Sequence, residues 1–140
     1  MVGIDHSQVM WRQARRRNRG AVASGRVQLL RGSLADLAGR PATFHKALAV
    51  NVFGFWPDPV AVLRQLAEVL LPGARTALTM QPRGRGVTNQ DTRQAGERMA
   101  AALHDAGFTD IQVRTLPLKP VDAACALGVW PSARPEHARA

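Results

Sequence analysis

The chain has 140 residues, 46% of them hydrophobic, an ordinary globular composition that leaves room for one domain with its own core and argues against disorder. Its formal net charge of +9 comes mostly from arginine, since Lys46 and Lys119 are the only lysines, and a GC-rich genome produces that bias as readily as a nucleic-acid surface does. Cys125 stands alone, which excludes an intrachain disulfide or a cysteine-based zinc site. It reads as a buried, inert thiol, and with no signal-peptide pattern and no run of about 18 apolar residues the expectation is a soluble, cytoplasmic protein with no membrane partner.

Val2 and Ile4 begin a short strand, and Asp5 falls at its carboxyl end. An acidic side chain there can accept both hydroxyl hydrogens of a ribose, as in dinucleotide folds; equally, it can be a plain helix cap, a role that Ser7 fills as well. A helix is predicted from Gln8 to Ala23 with Val9, Met10 and Ala14 inward and Gly25 as its stop. Arg12, Arg15, Arg16, Arg17 and Arg19 crowd its remainder, and with only Trp11 as a stacking aromatic the run reads as a solvated face. Val27 and Leu29 mark a second strand ending at Arg31-Gly32-Ser33. From Ser33 to Thr43 the chain is a connector with Leu34 and Leu37 inward and a turn at Gly39-Arg40-Pro41.

Phe44 opens the most regular part of the sequence. Ala47-Leu48-Ala49-Val50 has no polar alternation, the pattern of a central parallel strand covered on both faces. Asn51 to Asp58 is a loop; Asp58 is placed to cap a helix with Pro59 at its first position. Val60, Leu63, Leu66, Ala67, Leu70 and Leu71 form one stripe, Pro72-Gly73 stops the helix, and Thr76 to Met80 returns as a strand. The result is a right-handed βαβ unit whose ligand site lies beyond the first strand, at Asn51 to Trp56. Gln81 to Gly86 is a basic loop; its single R-G-R-G is a weak RNA signal. A helix capped by Asp91 runs from Thr92 to Ala106 with Ala95, Met99, Ala102, Leu103 and Ala106 inward, His104 and Asp105 outward, and Gly107 at its end. Asp110–Leu116 and Ala123–Val129 follow as antiparallel strands joined through Pro117 and Pro120, and residues 131–140 read as a disordered tail after a domain spanning 1–130.

An apolar strand ending in Asn, an aromatic loop, D-P, an amphipathic helix with V69-L-L-P-G73, and a further strand together resemble the middle of a class I S-adenosylmethionine-dependent methyltransferase. Val2-Gly3-Ile4-Asp5-His6-Ser7 with Met10 resembles that family's second strand and ribose-binding acid, and Ala106-Gly107-Phe108 before Ile111-Gln112-Val113 resembles its late helix-to-strand step. The resemblance implies an α/β, Rossmann-like, mostly parallel sheet with helices on both faces and a closing antiparallel pair. It implies S-adenosylmethionine as cofactor, a small-molecule acceptor, and cofactor contacts from Asp5, His6, Met10, Ser33, Leu34, Asn51 and Val52. Ser33 stands where the family commonly has an acidic side chain for the adenine amino group, which weakens that contact. Phe55 and Trp56, with Phe53, are placed to wall the methyl-transfer pocket, although Phe53 equally suits a core plug. No residue is assigned as catalytic; His6 suits adenosine contact better than acid–base work.

The family's glycine-rich loop, G-x-G after the first strand, is expected before the Asp5 strand, and Gly84 and Gly86 come too late in the chain to replace it. The fold is therefore expected to be incomplete at its N-terminus, with methyl transfer impaired or dependent on a partner. Unpaired strand edges then favour a homodimer. Two other readings are a non-enzymatic oligomeric or interaction module and, third, a basic RNA-associated protein.

Overall fold

The computed structural model describes residues 1–132, so most of the predicted tail lies outside the described residues. The chain divides into two compact units, Met1–Arg40 and Pro41 onward.

In the first unit, β1 (Val2–Asp5) leads into α1 (Gln8–Arg17) and α2 (Arg19–Ala23), and β2 (Gln28–Arg31) returns parallel to β1, pairing Val2 with Gln28 through Asp5 with Arg31. A 3₁₀ turn, Leu34–Leu37, follows. The single predicted helix is two. Asn18 leaves the helical region at φ −108°, ψ 21°, and both its backbone N–H and its side-chain amide donate to the Ala14 carbonyl, the local competition by which Asn ends helices. The predicted inward face also shifts. Val9 is 62% and Met10 50% exposed, while Trp11 and Ala14, one helical step apart, turn inward, with the Trp11 indole N–H donating to the Leu29 carbonyl at 3.1 Å. That bond fixes which side of α1 meets β2 and so turns Val9 and Met10 away.

The second unit holds β3 (Phe44–Val50), a 3₁₀ turn (Phe53–Phe55), α3 (Pro59–Glu68), β4 (Leu70–Met80), α4 (Asn89–Asp105), β5 (Thr109–Leu116) and β6 (Ala123–Val129). Its four-stranded sheet runs in the order β3-β4-β6-β5, with β3 parallel to β4 and β6 antiparallel to both neighbours, so the predicted closing pair forms. Leu63 and Ala67 of α3 and Met99, Ala102 and Leu103 of α4 pack with Leu78, Ala124 and Ala126 into one core.

Three expectations are corrected here. α3 stops at Glu68, before the predicted Pro72-Gly73 boundary, because the Val69 carbonyl accepts the Thr43 and Phe44 N–H groups and Leu70 already pairs with Phe44. Pro72-Gly73 instead bulges within β4, where the register jumps from Phe44–Leu70 to Lys46–Arg75. Gly73 sits at φ 79°, which glycine alone adopts freely, and donates to the Trp130 carbonyl at 2.8 Å. Second, β3 is covered on one face only. It is the terminal strand of its sheet; Ala47 and Ala49 meet the core while Leu48 is 71% and Val50 49% exposed. Third, Thr88 caps α4. Asp91 is the third residue of the helix and reaches back to accept the Thr88 N–H and hydroxyl, both at 2.8 Å, as a capping box.

The inward residues predicted on α4 are all buried. Gly96 joins them because a Cβ there would lie 2.8 Å from Val113 Cγ1, so the helix can approach β5 only with glycine at that point. Cys125 is half-buried rather than buried. No described helix is long and apolar enough to cross a membrane.

Candidate functional site

Parallel strands gather loops at their carboxyl ends, and each unit does so separately. In the first, Asp5 ends β1 half-buried, and its Oδ1 accepts the Ser7 N–H at 2.8 Å. Ser7 is the helix cap, its hydroxyl accepting the Met10 N–H at 3.3 Å, so capping is not the role of Asp5. Its second carboxylate oxygen has no protein partner among the described residues. The Asp5 carbonyl accepts the Gly32 N–H at 3.0 Å, which brings Gly32-Ser33 beside Asp5. His6 and Ser33 are exposed, Leu34 is half-buried, and Met10 lies on the outer side of the first turn of α1.

Asp36 was not singled out by the sequence reading. Its Oδ2 accepts the Ser33 N–H at 2.7 Å and its carboxylate covers Gly32, where any Cβ would collide with it. The signal was the spacing Ser33-x-x-Asp36, a capping box opening a short turn.

In the second unit, Asn51 follows β3 with φ 54°, a left-handed conformation that Asn tolerates better than most residues. Its N–H continues the ladder to the Thr79 carbonyl at 2.8 Å, and its Oδ1 accepts the Gln81 N–H at 2.9 Å. Gln81 in turn donates through Nε2 to the Val121 carbonyl at 2.8 Å and the Lys119 carbonyl at 3.2 Å. This strut ties the loop after β3 to the entry of β6, and nothing local in the sequence marks Gln81 for it.

The aromatic residues of that loop divide. Phe53 is buried among the core residues with Trp56 edge-on at 5.7 Å, whereas Phe55 is 79% exposed and Val52 is 37% exposed. Asp58 accepts the Ala61 N–H at 3.0 Å and caps α3 with Pro59 at its start, as predicted. Among the described residues the one ion pair is the exposed His104–Asp105 contact, and no cluster of metal-ligating side chains occurs. The Asp91 carboxyl is held below its ordinary range by the Thr88 N–H first and the Thr88 hydroxyl second.

Residues 1–73 match a family model described as a methyltransferase domain. Over 131 residues, 93% of this chain and 70% of the relative, the sequence is 34% identical to an uncharacterized methyltransferase, YdaC, of Bacillus subtilis. The chain belongs to the class I S-adenosylmethionine-dependent methyltransferases. Solved structures agree at the level of the fold. A putative sarcosine dimethylglycine methyltransferase from Galdieria sulphuraria superposes with a TM-score of 0.68 at 11% identity, covering 94% of this chain and 69% of that one. A Haemonchus contortus N-methyltransferase, solved with phosphomonomethylethanolamine and S-adenosylhomocysteine, gives 0.68 at 14% identity, covering 93% of this chain and 43% of that one. For a methyltransferase domain of this class the methyl donor is S-adenosylmethionine. Asp5 offers one carboxylate oxygen without a partner among the described residues, a chemistry that fits ribose hydroxyls.

Proposed function

We propose that this chain transfers a methyl group from S-adenosylmethionine to a small-molecule acceptor in the cytoplasm. The observation that carries the site is Asp5, at the carboxyl end of a parallel strand, with one oxygen fixed by the Ser7 N–H and the other left for ribose hydroxyls. In this reading His6 and Met10 flank the adenosine and Ser33 and Leu34 meet the adenine in the first unit; in the second, Asn51 and Val52 are the candidate contacts for the methionine end. The Asn51 N–H and carboxamide oxygen are engaged with Thr79 and Gln81, so its carboxamide nitrogen is the group left to offer. Phe55 and Trp56 border the acceptor. The exposed Phe55 ring suits a cationic centre, a contact worth about 0.5 to 2 kcal/mol.

When bound, S-adenosylmethionine supplies an electrophilic methyl on a sulfonium. The residues named here bind, orient and exclude water, and no side chain is assigned as a base. We also propose that the chain pairs with a second copy of itself. Among the described residues β3 pairs on one side only, and Leu48 and Val50 are exposed along it. The same edge supports the second reading, a non-enzymatic oligomeric module.

Isothermal titration with S-adenosylhomocysteine up to millimolar concentration, alongside light scattering, separates the two. The enzyme reading expects measurable binding that Asp5→Ala weakens by at least tenfold, the loss of a charge-assisted bond worth about 1.5 to 3 kcal/mol. Equal binding by both proteins removes Asp5 from the site. A dimer that binds no cofactor leaves the module reading standing.

A further inference from the structure

Between Asp5 and Asp36 the chain contains no acidic residue, yet it carries Arg12, Arg15, Arg16, Arg17, Arg19, Arg26 and Arg31. A helix face that merely dissolves in water usually alternates its charges, because like charges four residues apart destabilise it. Here Arg12 and Arg16 are such a like-charged pair, and so are Arg15 and Arg19 across the break at Asn18. Neither acid at the ends of this stretch pairs with them: Asp5 accepts the Ser7 N–H and Asp36 the Ser33 N–H, and neither forms an ion pair among the described residues. None of these arginines forms an ion pair among the described residues.

Geometry arranges the charges. The Trp11 indole donates to the Leu29 carbonyl and holds that side of α1 inward, which turns Arg12 and Arg16 outward, about 6 Å apart along the axis. The Arg15 guanidinium lies 4.8 Å from the Trp11 ring centre, stacked in place at the flank. An open hollow of about 420 Å³ is lined by Gln13, Arg16 and Arg17.

We infer that the outer face of α1 and α2 is a docking surface for the phosphodiester backbone of a nucleic acid. Arginines spread over several turns match a repeating array of phosphates better than a single anion. An anionic membrane is the poorer fit, because an interfacial helix needs a broad apolar face and α1 offers only Val9 and Met10 outward, with its tryptophan turned in. This goes beyond the small-molecule methyl transfer proposed above and is independent of it. It also departs from the expectation that the arginine run is a solvated face and nucleic acid an unlikely partner, which rested on the arginine bias, the lone Trp11 and the single R-G-R-G.

The test is fluorescence anisotropy of a labelled 20-nucleotide single-stranded RNA against the full chain over a salt series. Affinity is expected to fall linearly on a double-logarithmic plot, with a slope near 0.7 per phosphate neutralised, and to reach the micromolar range at low salt. Replacing Arg12, Arg16 and Arg19 with Ala is expected to reduce that slope by about 2 and weaken binding by tenfold or more, while Arg83→Ala with Arg85→Ala leaves both nearly unchanged. Ala favours helix at exposed positions, so circular dichroism should be preserved; a Gln set at the same positions replaces it if helix is lost. Absence of RNA binding at 50 mM salt overturns the inference. So does an unchanged slope in the α1 variant, an equal loss in the Arg83/Arg85 variant, or tighter association with phosphatidylserine vesicles than with RNA.

Discussion

In residues 1–40 only Val27 and Leu37 are buried, whereas from Pro41 onward Leu63, Leu78, Met99 and Leu103 are 0% exposed around one core. The first unit is defined instead by polar ties at its element ends: Asp5 to Ser7, Asp36 to Ser33, Trp11 to Leu29, and the amino terminus to the Arg26 carbonyl. A two-stranded sheet with so little buried area is marginal by itself, while three or more strands against helices are stable. Local order in the two units therefore has different sources. Precise placement of Asp5 comes from hydrogen bonds, and precise placement of Asn51 comes from a strut built on a packed sheet.

The largest effect should follow from breaking the core. Leu63→Ala removes a fully buried side chain and is expected to cost about 2 to 5 kcal/mol in denaturant unfolding. Met10→Ala, at a half-exposed position in α1, should change stability by less than about 0.5 kcal/mol in the same experiment. A large loss at Met10 would mean that α1 is packed more tightly than its exposure states.

Removing a cap comes next. Thr88→Ala should cost about 1 kcal/mol through the start of α4. Its partner Asp91 adds a pH signature. The Thr88 N–H and hydroxyl hold the folded carboxyl below its unfolded value, so its contribution is complete above the ordinary carboxylate range and is lost as pH falls through that value and then through the lowered one. Asp91→Asn should flatten the acid limb of stability against pH; an unchanged acid limb would remove the capping box from the account.

The smallest effect carries the opposite sign. Thr76 is 1% exposed and its hydroxyl has no hydrogen-bond partner among the described residues, so Thr76→Val should stabilise the second unit by up to about 1 kcal/mol. Destabilisation would show that the hydroxyl has a partner.

Much of the second unit was legible in the sequence because its signals are local. Asp58-Pro59 starts α3, Gly107 ends α4, and the buried stripe from Ala95 to Ala106 repeats at helical spacing. What misled was the apolar run itself. Leu70 and Leu71 continue the stripe of α3, yet the Val69 carbonyl is drawn to Thr43 and Phe44, and only tertiary pairing decides that. Ala47 to Val50 likewise reads as covered on both faces, although exposure depends on what else packs there. Of the candidate site, Asp5 was legible from its place after a strand, whereas Asp36 was missed although its Ser33-x-x-Asp36 spacing marks it, and Gln81 because it acts through backbone contacts that no local signal marks.

Hydrogen exchange with and without saturating S-adenosylhomocysteine tests the central claim most directly. Without ligand, amides of α1 and β1 should exchange far faster than those of β4, β6 and α4, in keeping with the buried side chains of each unit. With ligand, the account predicts new protection at residues 5–10 and 32–34. Ligand-induced protection that spares Asp5, or none at millimolar ligand, would contradict the assignment of Asp5 to the cofactor.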